Sequence, residues 1–131
     1  GGGLSKEEFI EQADEFCKAA DERTQELEPP RTPAELDEFV EQARAVSIEL
    51  LDDLRGLEPP EEDQETIDRM LSRIEEAVDF LPQIQEAARQ RDSQEIARLG
   101  QELQATASEA NEIAQEYGLE QCGRTQPAPA P

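Results

Sequence analysis

The chain has 131 residues, 34% of them charged, and its 33 acidic groups against 12 basic ones give a formal net charge of −21. A surface that negative repels phosphate backbones and anionic headgroups, which excludes nucleic-acid binding and membrane binding through the protein face. Histidine is absent, so Ser-His and Cys-His nucleophile pairs, ordinary zinc sites and Glu-x-x-His di-iron centres are excluded too.

One domain is expected at this length. Aromatic residues are only 4% of the chain, so the core must be built from Leu, Ile, Val, Ala and Phe. No run of 18 apolar residues is present, and so no membrane-spanning segment is expected. The carboxylates are scattered rather than aligned, which argues against a nucleic-acid mimic. The densest group, Glu58 to Asp63, lacks the spaced Asp/Asn and Gly of a calcium loop and reads as helix N-terminal charge. No metal site and no cofactor is expected. Carboxylates alone could do glycoside chemistry, but no aromatic platform is free to stack a sugar. The chain is therefore read as a non-enzyme.

Four helical segments follow in order. In the first, Phe9, Ala13, Phe16 and Ala20 recur at three- and four-residue steps, after a capping box formed by Ser5 and Glu8. Glu28-Pro29-Pro30 ends it. The second starts at Thr32 with Pro33 in first position and Glu35 closing the box. Its apolar face comprises Leu36, Phe39, Val40, Ala43, Val46, Leu50, Leu51 and Leu54. Gly56 is expected to end it in a left-handed conformation, with Leu57 folding back.

The third segment begins near Asp63 and buries Ile67, Met70, Leu71, Ile74, Ala77, Val78, Leu81, Ile84 and Ala88. Pro82 inside it predicts a kink or a break into two helices. The fourth opens with Asp92 and Glu95 and turns Ile96, Leu99, Leu103, Ala110, Ile113 and Tyr117 inward. Gly100, Ala107 and Ala114 flank that face and predict close helix approach. Gly118-Leu119 supplies another glycine cap. No period-2 alternation competes, so the fold class is all-α: an up-down-up-down four-helix bundle over residues 5–123. Residues 1–4 read as a tether or expression remnant, and residues 124–131 as a disordered Pro/Ala tail. Leu27-Glu28-Pro29-Pro30 and Leu57-Glu58-Pro59-Pro60 predict two similar corners at opposite ends of the bundle.

Cys17 and Cys122 fit a disulfide better than a metal site or a redox CxxC, which points to an exported, extracytoplasmic protein. Cys17 lies ~18 Å along the first helix, while Cys122 follows the end of the fourth. Either the segment Leu119 to Cys122 runs back along the first helix, or that helix projects beyond the end of the fourth.

Three stretches together, Leu4 to Cys17, Leu54 to Asp63 and Gly118 to Gly123, resemble a group of small actinobacterial cell-envelope proteins. In that group a lipobox cysteine and a Gly/Ser tether precede a Ser-Lys-x-Glu-Phe-Ile-x-x-Ala-Asp-x-x-Cys helix, Leu-x-Pro-Pro corners and a terminal Leu-Gly-Leu-x-x-Cys-Gly. The resemblance covers residues 4–123. It implies export, with Gly1 to Gly3 as the tether's remnant. Membrane attachment is expected only through an N-terminal lipid anchor that this chain does not include. It assigns no functional residues.

The leading expectation is an exported or envelope-anchored acidic domain with an interaction or structural role toward an unidentified protein or envelope partner. The alternative is a carrier for a small apolar ligand. A kink at Pro82 can open a pocket between helices, lined by Phe80, Leu81, Pro82 and Ile84. The two separate on packing: a solid core favours the first, a cavity of a few hundred Å³ the second.

Overall fold

Local chemistry sets each helix start. A computed structural model describes residues 3–124. Ser5 Oγ accepts the Glu8 amide and Glu8 Oε1 accepts the Ser5 amide, each at 3.1 Å, closing a full capping box on α1 (Lys6–Gln25). The bond from the Ser5 backbone, with that from its hydroxyl, holds the exposed Glu8 carboxyl below the usual range. α2 (Pro33–Arg55) begins with Pro33 at the first position and Thr32 Oγ1 accepting the Glu35 amide at 3.1 Å. α4 (Ser93–Tyr117) begins with Asp92 Oδ1 accepting the Glu95 amide at 3.1 Å. The Glu95 carboxylate pairs with Arg98 instead of turning back to the cap.

α3 (Gln64–Arg89) follows a single 3-10 turn, Glu61–Asp63. It runs unbroken through Pro82, so the expected division into two helices does not occur. The ring sits on the exposed side, where the missing amide costs one helical hydrogen bond without a steric conflict in the core. Gly56 also departs from expectation. Its φ of −74° is right-handed, and its amide continues the helical ladder to Asp52 and Asp53. Gly118 does adopt the left-handed cap, at φ 106°, and Leu119 behind it is fully buried.

Among the described residues the fold is all-helical, with no strand. Short connections make successive helices antiparallel in a four-helix bundle. At one end the Leu4 amide donates to Glu58 O at 2.8 Å, and Tyr117 Oη donates to Asp63 Oδ2 at 2.5 Å. These bonds gather the start of the chain, the α2–α3 corner and the end of α4. The α1–α2 and α3–α4 corners lie at the opposite, distal end, so the two Leu-Glu-Pro-Pro corners face away from each other as expected.

The core is divided in two. At the near end Phe9, Cys17, Leu54, Ile67, Met70 and Leu119 pack together, with contributions from all four helices. At the distal end Leu36, Phe39, Val40, Ile84, Ala87 and Leu99 form a second cluster, to which the α1 side adds only Leu27. All eight apolar positions expected on α2 are buried. On α4, by contrast, nothing between Leu99 and Ala110 is buried.

Tyr117 closes the near end. It meets Phe9 edge-on at 6.0 Å between ring centroids, and the Lys6 ammonium lies 4.6 Å from its ring centre. Burial, then the neighbouring Asp63 and Glu62 carboxylates, push its phenol pKa up. A raised pKa means that the protonated phenol favours the folded state. That contribution is complete below the unfolded value near 10 and is lost as pH rises beyond it. With one Tyr and no Trp, phenolate absorbance reports this group alone. Its midpoint is expected above the ordinary range in the native protein and back at about 10 in urea. A native midpoint at the ordinary value would rule out the Asp63 contact.

Candidate functional site

The end of the chain determines how α1 and α4 meet. After Gly118 the backbone doubles back and forms a 3-10 turn, Cys122–Arg124, seated between those two helices. Asp14 on α1 anchors it. Its Oδ1 accepts the amides of Gln121 and Cys122 at 3.0 and 3.2 Å, and its Oδ2 accepts the amide of Glu120 at 3.2 Å. From α4, Gln115 Nε2 donates to Gly123 O at 2.7 Å. Gly123 lies so close to α4 that an added Cβ would fall 2.5 Å from Gln115 Cγ. The Cys17–Cys122 disulfide, with Cα atoms 5.1 Å apart, fixes the turn to α1. The chain therefore takes the first of the two routes expected for the sulfurs to meet.

Asp14 is the acidic residue of the Ala-Asp-x-x-Cys stretch in the resemblance, which assigns it no role. Asp14→Ala is expected to cost about 2 kcal/mol, since it strips charge-assisted bonds from three amides at once. Asp21→Ala on the same helix removes only a bond to Gln25 and should stay within about 0.5 kcal/mol of the parent. Urea unfolding of the oxidised proteins compares them, and equal midpoints would refute the anchoring role.

The inserted turn acts as a wedge. No Cα of α1 comes within 8 Å of a Cα of α4, although both helices pack on their other neighbours. A continuous cleft of about 590 Å³ results, running from Cys17, Cys122 and Ala114 near the disulfide to Ile84, Ile96 and Ser93 at the distal end. Along α4 it spans the stretch from Ser93 to Ala114, ~32 Å at the helical rise. It is long and thin.

Small side chains hollow its middle: Ala43 on α2, Ala77 on α3, and Gly100 and Ala107 on α4. The expected close approach at Gly100 is corrected here. A Cβ built on it meets nothing within 4 Å. Larger lining residues, including Phe39, Ile74 and Leu81, make the walls apolar. Neutral polar groups, among them Thr24, Ser47, Gln101 and Gln104, complete the lining. No lining side chain is charged, in a chain where 34% of residues are.

The pocket expected at Pro82 is thus differently placed. Leu81 and Ile84 do line the cleft, on the stripe that continues Ile74 and Val78 at helical spacing. Pro82 falls on the outer face, and Phe80 packs on the distal core cluster instead. Gln85, unremarked in the sequence, is buried and donates to Asp37 O at 3.3 Å and Glu41 Oε2 at 3.0 Å, tying α3 to α2. A separate depression of about 210 Å³ at the α2–α3 corner is polar, with Arg55 and Asp68 in its walls.

Among the described residues no three acidic or cysteine side chains converge as metal ligands, and no helix is long and apolar enough to cross a membrane. Arg124, expected to open the disordered Pro/Ala tail, instead completes the 3-10 turn, and residues 125–131 of that expectation lie outside the described range. Fold and site together define a disulfide-closed four-helix bundle with an uncharged interhelical cleft. No protein-family model matches the chain, and no curated protein or solved structure is detectably similar to it.

Proposed function

We propose that this protein is a non-enzymatic carrier that holds one elongated apolar molecule in the cleft lined by all four helices, outside the reducing cytosol. The observation that carries this reading is the cleft itself. At about 590 Å³ it falls within the ~300–1,000 Å³ typical of small-molecule sites. Its walls are apolar and free of charge while the outer surface is densely acidic. That combination suits keeping an oily molecule in solution.

The reading as a protein-interaction domain gains less. No large hydrophobic side chain is exposed among the described residues, so the surface offers no apolar patch of the kind that marks docking sites. The absence of histidine and of charged lining groups leaves nothing in the cleft suited to moving protons at neutral pH. The disulfide supports an extracytoplasmic location, since such bonds persist in oxidising compartments. A lipid tether to the envelope, implied by the resemblance of the N-terminal stretch, would hold the carrier next to a source of cargo.

The test is titration of the oxidised protein with N-phenyl-1-naphthylamine, an uncharged dye that brightens in apolar surroundings. Saturable enhancement at one dye per chain is expected. Emission that never rises above its level in buffer would sink the carrier reading.

A further inference from the structure

We infer that the cargo has an uncharged polar head, as in a long-chain alcohol, ester or amide, and that fatty acids and phospholipids are discriminated against. This rests on the carrier reading and narrows it.

The position of the polar lining groups is the first argument. The disulfide and the contact of Gly123 with Asn111 set Cys17 level with Asn111 across the gap. The helices are antiparallel, so Thr24, two turns on from Cys17, is level with Gln104, two turns back from Asn111. Gln101 lies one turn further along α4. Thr24, Gln101 and Gln104 therefore lie about midway along the cleft, with Ser93 and Asn111 toward its two ends. The Ser47 hydroxyl and the Gln101 and Gln104 amides have no hydrogen-bond partner among the described residues. The Thr24 hydroxyl donates to Ala20 O at 3.0 Å and keeps its lone pairs. These groups can satisfy a hydroxyl, an ester or an amide.

The second argument is the absence of a cation to receive an anion. Carboxylate and phosphate heads are bound by Arg or Lys when removed from water, and neither lines the cleft. Two of the basic residues that flank it are committed elsewhere. Arg98 holds Glu95 and Glu102, and Arg23 holds Glu49 at 2.6 Å. Arg44, whose Nε is buried without a partner, lies one turn on from Glu41 along the stripe of α2 that faces α3. The net charge of −21 adds a repulsive field at the opening. An anionic head would be desolvated there without compensation.

The test uses the oxidised, full chain carrying N-phenyl-1-naphthylamine. Displacement is measured with tetradecanol, tetradecanoate and tetradecyltrimethylammonium at about pH 8, where the carboxylate is ionised. The alcohol is expected to displace the dye at a concentration roughly tenfold or more below that needed by the carboxylate, the cost of an unpaired charge. A carboxylate equal to or better than the alcohol overturns the inference and directs attention to Arg44. So does an ammonium better than the alcohol. In each of these cases displacement itself leaves the carrier reading standing. A dye that never binds removes both.

Discussion

Reducing the Cys17–Cys122 disulfide is expected to lower the stability of the protein by about 4–5 kcal/mol, the value chain entropy assigns to a crosslink closing a loop of this length. The sequence separation is 105 residues, so nearly the whole chain gains freedom in the unfolded state when the bond is cut. Native proteins are stable by only about 5–15 kcal/mol, which makes this a large share. The effect on shape should exceed that of an ordinary crosslink, because the same sulfurs hold the wedge between α1 and α4. The reduced protein, or Cys17→Ser with Cys122→Ser, should melt well below the oxidised form and lose its saturable binding of apolar dye. The measurement is paired thermal melts and dye titrations with and without reductant. Coincident melts would show that the hydrophobic packing around Leu119 and Leu54 suffices alone.

The second large effect is expected at Gly100. A leucine there enters the cleft without clash, since even a Cβ finds nothing within 4 Å. The substitution replaces a helix-interior glycine, worth about 0.8–1 kcal/mol in propensity, and buries new apolar surface against the walls. Gly100→Leu should therefore melt above the parent while binding the dye at least roughly tenfold more weakly, as expected when stability and function compete for one space. Ala107→Leu, two helical turns further along α4 in the same cleft, should act in the same direction. A variant that is both more stable and fully competent to bind would place the ligand elsewhere.

These two sites differ in how far the sequence disclosed them. The fold was legible because its signals are local. Ser5 with Glu8 and Gly118 with Leu119 declare helix ends within a few residues, and the 3- and 4-residue spacing on α2 names every buried position. The pairing of the cysteines was legible from their number and the lack of histidine. The cleft was not. Small residues at Gly100 and Ala107 read the same whether a neighbouring helix moves in or stays away. The choice is made by Asp14, a surface-type residue in α1 that grips amides more than a hundred positions later. No periodicity records a bond of that reach. Gln85 is similar: its burial depends on Glu41 and Asp37 from another helix, not on its own neighbours. Pro82 misled in the opposite sense, since a helix breaker on an exposed face disturbs only its own turn.

The division of the core has a mechanical corollary. Near the sulfurs all four rods are locked to one another, whereas past Gln25 the first rod stops and only Leu27 reaches the second cluster. The first rod is thus riveted at one end and lightly held at the other. On the carrier proposal, a long guest enters by local separation at the lightly held end, a motion drawn from the low-cost end of the opening spectrum, while the riveted half keeps its register.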